Sequence, residues 1–304
     1  MVSVLVVNYR STALLEKCLN SLLDCTAARQ LQIIVVDNAS PDFDESRLAA
    51  RYPTVQFLPQ SNNTTYTGGN NLAFGKATGK YILLLNPDTR VDGPAIANAI
   101  RHFDDDPRLV AQGAYLLDVD GRFQHYYRRL PRTRDVPVVL LWRQLGRTPL
   151  GRHYLMRDVD FGELTSVAQP PGAFIIVRRE KCGDQLLDPG YFNFFSDVDL
   201  CDRLGANGEI AVADDVRCVH LRGGAGVGTR DPLRQLLLFQ DLTWGARRYF
   251  RQRADTLGRA YLEVWLLLFW TLAAARAIAQ GPTLAARALG IALDALRGRP
   301  PVYD

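Results

Sequence analysis

Residues 33–40 read Ile-Ile-Val-Val-Asp-Asn-Ala-Ser. Four β-branched residues in succession fill both faces of a strand, so the run predicts a strand buried on both sides, and Asp37 ends it. The same form recurs at Val4-Leu5-Val6-Val7, closed by Asn8, and at Tyr81-Ile82-Leu83-Leu84-Leu85, closed by Asn86-Pro87-Asp88-Thr89. Between these runs Leu14, Leu15, Cys18, Leu19, Leu22 and Leu23 fall at helical spacing. Val55 to Leu58 predicts a shorter strand, Gly69 to Ala77 a helix, and Pro94 opens another helix to Phe103. Strands alternating with helices predict an α/β chain with a mainly parallel, doubly wound sheet. Polar residues at the strand ends then lie on the edge where such sheets hold ligands.

Further on, Asp118-Val119-Asp120-Gly121 reads as a turn between short strands, and Arg128 to Asp158, rich in Arg and Pro, as a loop or excursion. Ala173 to Val177 predicts a buried strand and Asp197 to Ala206 a helix. Ile210 to Ala213 and Val216 to His220 predict two closing strands. From Leu233 the composition turns to Leu, Ala and Arg in helical pattern, so the chain divides into residues 1–230 and a helical appendage, 231–304.

A hydrophobic fraction of 47% over 304 residues is ample for a core and excludes a disordered chain. The net charge of +4 is unevenly spread. Residues 230–304 hold eleven arginines, no lysine and six acids, a net +5, which leaves about −1 for the remainder. A basic tail on a near-neutral body predicts an anionic partner surface. The five cysteines are scattered with no CxxC pair, which fits reduced thiols and argues against zinc. No basic segment with a cleavable apolar stretch precedes Val2, so a cytoplasmic chain is expected.

Four short signals follow one another in the chain: Val36-Asp37-Asn38-Ala39-Ser40, Asn86-Pro87-Asp88, Ser196-Asp197-Val198-Asp199-Leu200-Cys201, and His220. One acid suits a nucleotide, one with the histidine suits a divalent cation, and one suits proton transfer. Each has a plainer reading. Asp37 starts a turn or caps a helix, Asp197 and Asp199 complement a helix dipole, and a lone histidine is commonly a satisfied core residue.

As an ordered set, over roughly residues 2–228, they resemble an inverting family-2 glycosyltransferase of the GT-A fold, closest to the bacterial rhamnosyltransferase-like members. The resemblance implies that Asn8, followed by Tyr9, and Asp37 with Asn38 hold the nucleotide, Asp37 accepting the imide N–H of uracil or thymine. Asn63 to Asn71 resembles the family's donor loop, whose small residues Gly68, Gly69 and Asn70 let backbone approach a sugar diphosphate and lead into a helix with free N–H groups for anions. Thr65 stands where the family has glycine. Asn86 and Asp88 occupy the place of the family's Asp-x-Asp, with Asp88 the main carboxylate for Mg²⁺ or Mn²⁺ and His220, ahead of Gly223-Gly224, the second protein ligand. Matching puts the base on Asp197. Asp199 holds local structure or contacts the acceptor, Ser196 replaces a glutamate, and Gly172 of Pro170-Pro171-Gly172-Ala173 lies on the acceptor side.

The expected reaction is a single displacement that inverts the anomeric carbon, with dTDP-rhamnose as donor and a UDP-hexose or UDP-N-acetylhexosamine as the alternative. The expected acceptor is a lipid-linked saccharide of a surface polysaccharide, met at the inner face of a bacterial membrane. In the tail, Val264 to Ala275 is apolar over about twelve residues, short of the roughly twenty a crossing needs. With Glu263 and Arg276 bracketing it, shallow binding to an anionic membrane is expected; the alternative is a helical hairpin packed on the catalytic domain or forming a homodimer. A nicotinamide dehydrogenase is excluded because Asn8-Tyr9-Arg10-Ser11 lacks the Gly-rich turn. A pyrophosphorylase would carry a Gly- and basic-rich loop there. A non-catalytic membrane or nucleic-acid binder would leave Asp88, Asp197 and His220 without a task, so no nucleic-acid partner is expected.

Overall fold

In the computed structural model, residues 1–27, 30–162, 164–221, 231–254, 256–278 and 282–303 are described. The apolar runs are strands β1 (Val2–Asn8), β2 (Leu31–Asp37), β3 (Val55–Pro59) and β4 (Tyr81–Leu85). They lie parallel in the order β3-β2-β1-β4, with Asn8 level with Asp37. Strand β5 (Thr89–Val91), β6 (Leu109–Leu117), β7 (Thr165–Ser166), β8 (Phe174–Arg178) and β9 (Glu209–His220) complete a nine-stranded sheet. The second half is mixed: β8 runs antiparallel between β4 and β6, and β9 runs parallel to β6. The expected parallel sheet thus describes the first four strands, and the whole is a mixed α/β sheet.

Successive strand residues face opposite sides, and each face is covered. Val4, Val6, Leu83 and Leu85 pack with helix α1 (Thr12–Leu23) through Leu15, Leu19 and Leu22. After the short α2 (Glu45–Arg51) comes α3 (Thr65–Phe74); Leu5, Val36 and Leu84 on the other face meet its Ala73 and Phe74. Helix α4 (Ala95–Asp105), entered at Pro94, joins the first face.

Three sequence expectations are corrected. The segment from 128 to 158 is not a loop: it holds α5 (Val136–Leu140), α6 (Trp142–Leu145) and α7 (Pro149–Tyr154). Helices of four to six residues are too short to show a 3.6-residue period. The two closing strands are one, β9, in which Ala114 pairs with Ala213 but Tyr115 with Arg217, so Asp214, Asp215 and Val216 form a bulge outside the ladder, with Val216 buried in the core. The bulge is tied down, with the Asp215 carbonyl accepting Asn98 Nδ2 at 2.7 Å and its carboxylate meeting Arg101 at 2.8 Å. Finally, the donor-loop helix begins at Thr65 rather than Gly69.

Helix α8 (Ser196–Gly205) follows β8, and the tail forms α9 (Pro232–Arg253), α10 (Thr256–Ile278) and α11 (Pro282–Leu296). These last helices share a core with the excursion: Leu262, Leu266 and Trp270 pack with Val136, Val139, Tyr191 and Phe195. The five cysteines are free and buried, as small core residues.

Candidate active site

The ends of β1, β2 and β4 meet the start of β8 and the end of β9 at one sheet edge. Asn8 and Asp37, opposite each other in register, join side chains: Asn8 Nδ2 donates to Asp37 Oδ1 at 2.7 Å. The Ser40 amide donates to the other oxygen at 2.8 Å. Each Asp37 oxygen keeps a further lone pair for a ligand N–H. Asn38 braces the edge to the donor loop, donating to Thr65 O at 3.0 Å and accepting the Thr64 hydroxyl at 2.6 Å.

The donor loop departs from expectation. The first amides of α3 are already taken: Thr65 N by Asn63 Oδ1 at 2.9 Å, Tyr66 N by Asn193 Oδ1 at 3.0 Å and Thr67 N by Phe192 O at 2.9 Å. They are not free anion donors, which corrects that reading. Gly69 and Asn70 turn inward. A Cβ on Gly69 would sit 2.9 Å from both Val7 methyls, so glycine lets α3 lie on β1. Asn70 is buried and donates to Tyr66 O at 2.9 Å. Gly68 is half-buried at the loop. Thr65 has φ +66°, the left-handed conformation that glycine adopts without cost. Arg10, Ala39 and Phe195 also have positive φ, so strain gathers at this edge, as it does at functional sites.

Asp88 and His220 come together, His220 Nε2 lying 3.4 Å from Asp88 Oδ2. Gln124 decides the histidine tautomer. Its Nε2 donates to His220 O at 2.9 Å and Leu117 O at 3.1 Å, which points Oε1 at His220 Nδ1, 3.2 Å away. Nδ1 therefore donates, and in the neutral ring Nε2 turns its lone pair toward the Asp88 oxygen. Two acceptors face to face can share a cation, so the pair fits a divalent metal whose ligand histidine is oriented by a second hydrogen bond. No group of three or more His, Cys, Asp or Glu able by itself to hold a metal ion occurs among the described residues, and substrate phosphate oxygens would complete such a coordination shell. Asn86 is pinned beside them, its amide donating to Ala173 O at 3.0 Å.

Asp197, in the first turn of α8, lies over the start of β8: a Cβ on Gly172 would be 3.3 Å from Asp197 Oδ2. Its other oxygen accepts the Val198 amide at 2.9 Å. Burial pushes its carboxyl above the ordinary range, while the charge of Arg128, the Val198 amide and the Gln169 side chain favour the ionised form and offset part of that effect. Tyr66 closes the rim, its hydroxyl donating to Gly172 O at 3.3 Å. Ser196 is buried and donates to Asn193 O at 3.4 Å. It points into the helix start and not toward an open acceptor face. Asp199 is buried and pairs with Arg203 at 2.9 Å and Arg253 at 3.3 Å, tying α8 to α9. Gly223-Gly224 lie outside the described residues.

Sequence reasoning missed Gln124, Arg128, Asn193 and Arg234. Arg128 opens the excursion, Gln124 lies just ahead of it, and Arg234 of α9 stacks over the Tyr9 ring at 5.6 Å, at the end of β1. The only signal in the sequence was the unusual concentration of polar residues from Gln124 to Arg129 beside an aromatic run.

Comparison with known proteins gives the family and the fold. The chain is 28% identical over 222 residues to an N-acetylglucosaminyl-diphospho-decaprenol L-rhamnosyltransferase of Mycobacterium tuberculosis, an alignment covering 69% of this chain and 72% of the relative. Its fold is like that of the mannosyltransferase PcManGT from Pyrobaculum calidifontis, solved with GDP-Man and Mn²⁺ (TM-score 0.54, 18% identity, 97% of this chain and 86% of that one). It is also like S. aureus TarS 1-349 in complex with UDP-GlcNAc (TM-score 0.52, 14% identity, 100% and 93%). The fold is therefore GT-A. The sequence model described as Glycosyl transferase family 2 matches residues 3–178, from β1 to the end of β8, and so spans Asp37, Asp88 and Gly172. With more than half of its length in that match, the chain belongs to glycosyl transferase family 2.

Proposed function

We propose that this glycosyltransferase moves a sugar from a nucleoside-diphosphate donor to a lipid-linked saccharide, with inversion, at the cytoplasmic face of a bacterial membrane. The observation that carries the reading is the adjacency of Asp197 and Asp88. Asp197 hangs over Gly172; the next residue, Ala173, holds Asn86 through its carbonyl, and Asp88 follows two residues on. A base and a diphosphate site built on Asp88 and His220 are thus one strand end apart, which suits in-line attack.

Asn8 and Asp37 bind and orient the base of the nucleotide. Asp197 takes the proton of the acceptor hydroxyl as it attacks the anomeric carbon. Arg128 and the Val198 amide favour the ionised form and offset part of the burial that opposes it. Asp88 and His220, with Asn86 beside them, would hold Mg²⁺ or Mn²⁺, which when bound neutralises charge on the departing diphosphate. The donor we favour is dTDP-rhamnose, because the 28% relative carries that sugar in its name; a UDP-hexose or UDP-N-acetylhexosamine is the alternative.

The tail supports a membrane surface as partner. Helix α10 has 23 residues and is long and apolar enough to cross a membrane by length and composition, longer than the twelve-residue run implied. Leu257 (80% exposed), Val264 (64%) and Leu267 (55%) nevertheless stand on its surface while Leu262, Leu266 and Trp270 pack inward. Both acids of α10 and α11 are tied to arginines, Glu263 to Arg247 and Arg251, Asp294 to Arg299. Arg259, Arg276 and Arg287 are exposed on the same helices. One apolar face rimmed by arginines suits shallow insertion at an anionic interface.

Release of nucleoside diphosphate from a panel of sugar nucleotides, with lipid-linked acceptor and with or without chelator, tests the reading. Metal-dependent release from dTDP-rhamnose supports it; release from none of the panel sinks it.

A further inference from the structure

The buried acid Asp241 on α9 has no part in the scheme above. It is fully buried, and one of its oxygens, Oδ2, accepts three hydrogen bonds: from the Asn193 amide at 3.1 Å, from Asn193 Nδ2 at 2.8 Å and from the Tyr303 hydroxyl. Asn193 passes this grip to both walls of the site. Its Oδ1 accepts the Tyr66 amide in the first turn of α3, and its carbonyl accepts the Ser196 hydroxyl in the first turn of α8. Tyr66 in turn reaches Gly172, over which Asp197 lies, and Asp197 directly follows Ser196.

Neighbouring contacts fix the same segment. Trp244 Nε1 donates to Gly190 O at 2.9 Å, Arg248 pairs with Asp188 at 2.8 Å, and a Cβ on Gly245 would lie 2.8 Å from Phe194 O. Helix α9 is thus pressed against the stretch that sets α8, with glycine at the closest approach. A carboxylate is costly to bury, and a packing role alone is met by an apolar side chain. What a carboxylate adds is a fixed acceptor for two Asn193 donors, which sets the rotamer of Asn193 and the direction of its amide.

We infer that Asp241 and Asn193 are a positioning pair through which the C-terminal helices hold Asp197 and Tyr66 in their catalytic geometry. The inference rests on the reading of Asp197 as the base. It makes the helical tail part of the catalytic machinery as well as a membrane contact.

Removal of the acceptor tests it. Asp241→Leu takes away the oxygen that receives the Asn193 amide and Nδ2, whereas Asp241→Asn keeps an oxygen acceptor in a side chain of the same shape. Turnover is measured with the donor that the wild type uses, and nucleoside diphosphate affinity by calorimetry. Misplacing a base by about 1 Å costs about 10²-fold, so Asp241→Leu is expected to lower kcat by roughly that factor. Nucleoside diphosphate affinity stays within about threefold, because Asp37 and Asp88 are untouched, and Asp241→Asn regains most of kcat. Asn193→Ala, which removes the other member of the pair, serves if Asp241→Leu does not fold, and it too is expected to lose kcat with nucleotide affinity kept. Wild-type kcat in Asn193→Ala overturns the inference, as does an Asp241→Asn variant no better than Asp241→Leu. A wild type that transfers no sugar takes down the reading of Asp197 together with this inference, whereas an active wild type whose kcat Asn193→Ala leaves unmoved takes down the inference alone.

Discussion

Gln124 and His220 are joined twice, the Gln124 amide donating to the His220 carbonyl at 2.9 Å while its oxygen faces His220 Nδ1 at 3.2 Å. The double link fixes both the ring orientation and its tautomer, and leaves Nε2 opposite Asp88. Removal of such an outer partner lowers metal affinity about 10–100-fold. Gln124→Leu is therefore expected to shift the Mn²⁺ or Mg²⁺ concentration for half-maximal activity upward by about that factor, with saturating turnover largely retained. An unchanged metal titration would argue that His220 is not a ligand.

Asp197 sets activity against stability. Its carboxyl is raised by burial, so the folded chain prefers it protonated. The sign follows: the favourable contribution is complete below the ordinary carboxylate range and is lost as pH rises through the raised value. At neutral pH the ionised form is a liability. Asp197→Asn is expected to lower turnover by about 10²–10⁴, leave nucleotide affinity within a few-fold and raise Tm at pH 7, with that gain vanishing in acid. Thermal melts at two pH values, beside kinetics, check both halves; a Tm gain that is larger in acid contradicts the account.

Thr65 holds φ +66° with a branched Cβ. Such a conformation costs about 1–2 kcal/mol, and glycine relieves it while adding up to about 1 kcal/mol of chain entropy to the unfolded state. Thr65→Gly is expected to be neutral to stabilising by about 1 kcal/mol, against the usual loss when glycine enters a helix end. Chemical denaturation measures it. A loss above about 1 kcal/mol would show that the Thr65 side chain does more than tolerate the turn.

The sheet was legible because its strands are buried on both faces. Ile33 to Val36 and Tyr81 to Leu85 admit no other reading at that length, and the register that sets Asn8 beside Asp37 follows from parallel pairing of equal runs. The α5–α7 stretch was not, since helices of four to six residues carry no periodicity and are held by the tail packed on them. Asp214-Asp215 looked like a break in the last strand, but a bulge carries the strand past both. Within the site, Asp37, Asp88, Asp197 and His220 were visible as acids and a histidine at element ends. Asn193 and Asp241 were not, being 48 residues apart in sequence and paired by the fold. Nor did glycine content reveal that the α3 amides are already bonded.

The exposed α10 face is expected to bind anionic vesicles. Val264→Asp with Leu267→Asp removes two large apolar contacts, each worth about 1.5–3 kcal/mol when fully buried. Binding to phosphatidylglycerol vesicles should fall by at least tenfold, and wild-type binding should weaken with salt through Arg259, Arg276 and Arg287. Point variants suit this test better than truncation at 230, which would uncover Val139, Tyr191 and Phe195. Unaltered vesicle binding, or a wild-type dimer in sedimentation that the same variants dissociate, contradicts the membrane assignment.

The central claim is single displacement on Asp197, and the anomeric configuration of the product tests it most directly. The measurement is nuclear magnetic resonance of the glycoside formed from an isotope-labelled donor, wild type beside Asp197→Asn. The account predicts a product of configuration opposite to the donor's, with no covalent sugar–protein adduct in the wild type and no product from the variant on the same time scale. Retained configuration, or transfer by Asp197→Asn at the wild-type rate, would contradict it.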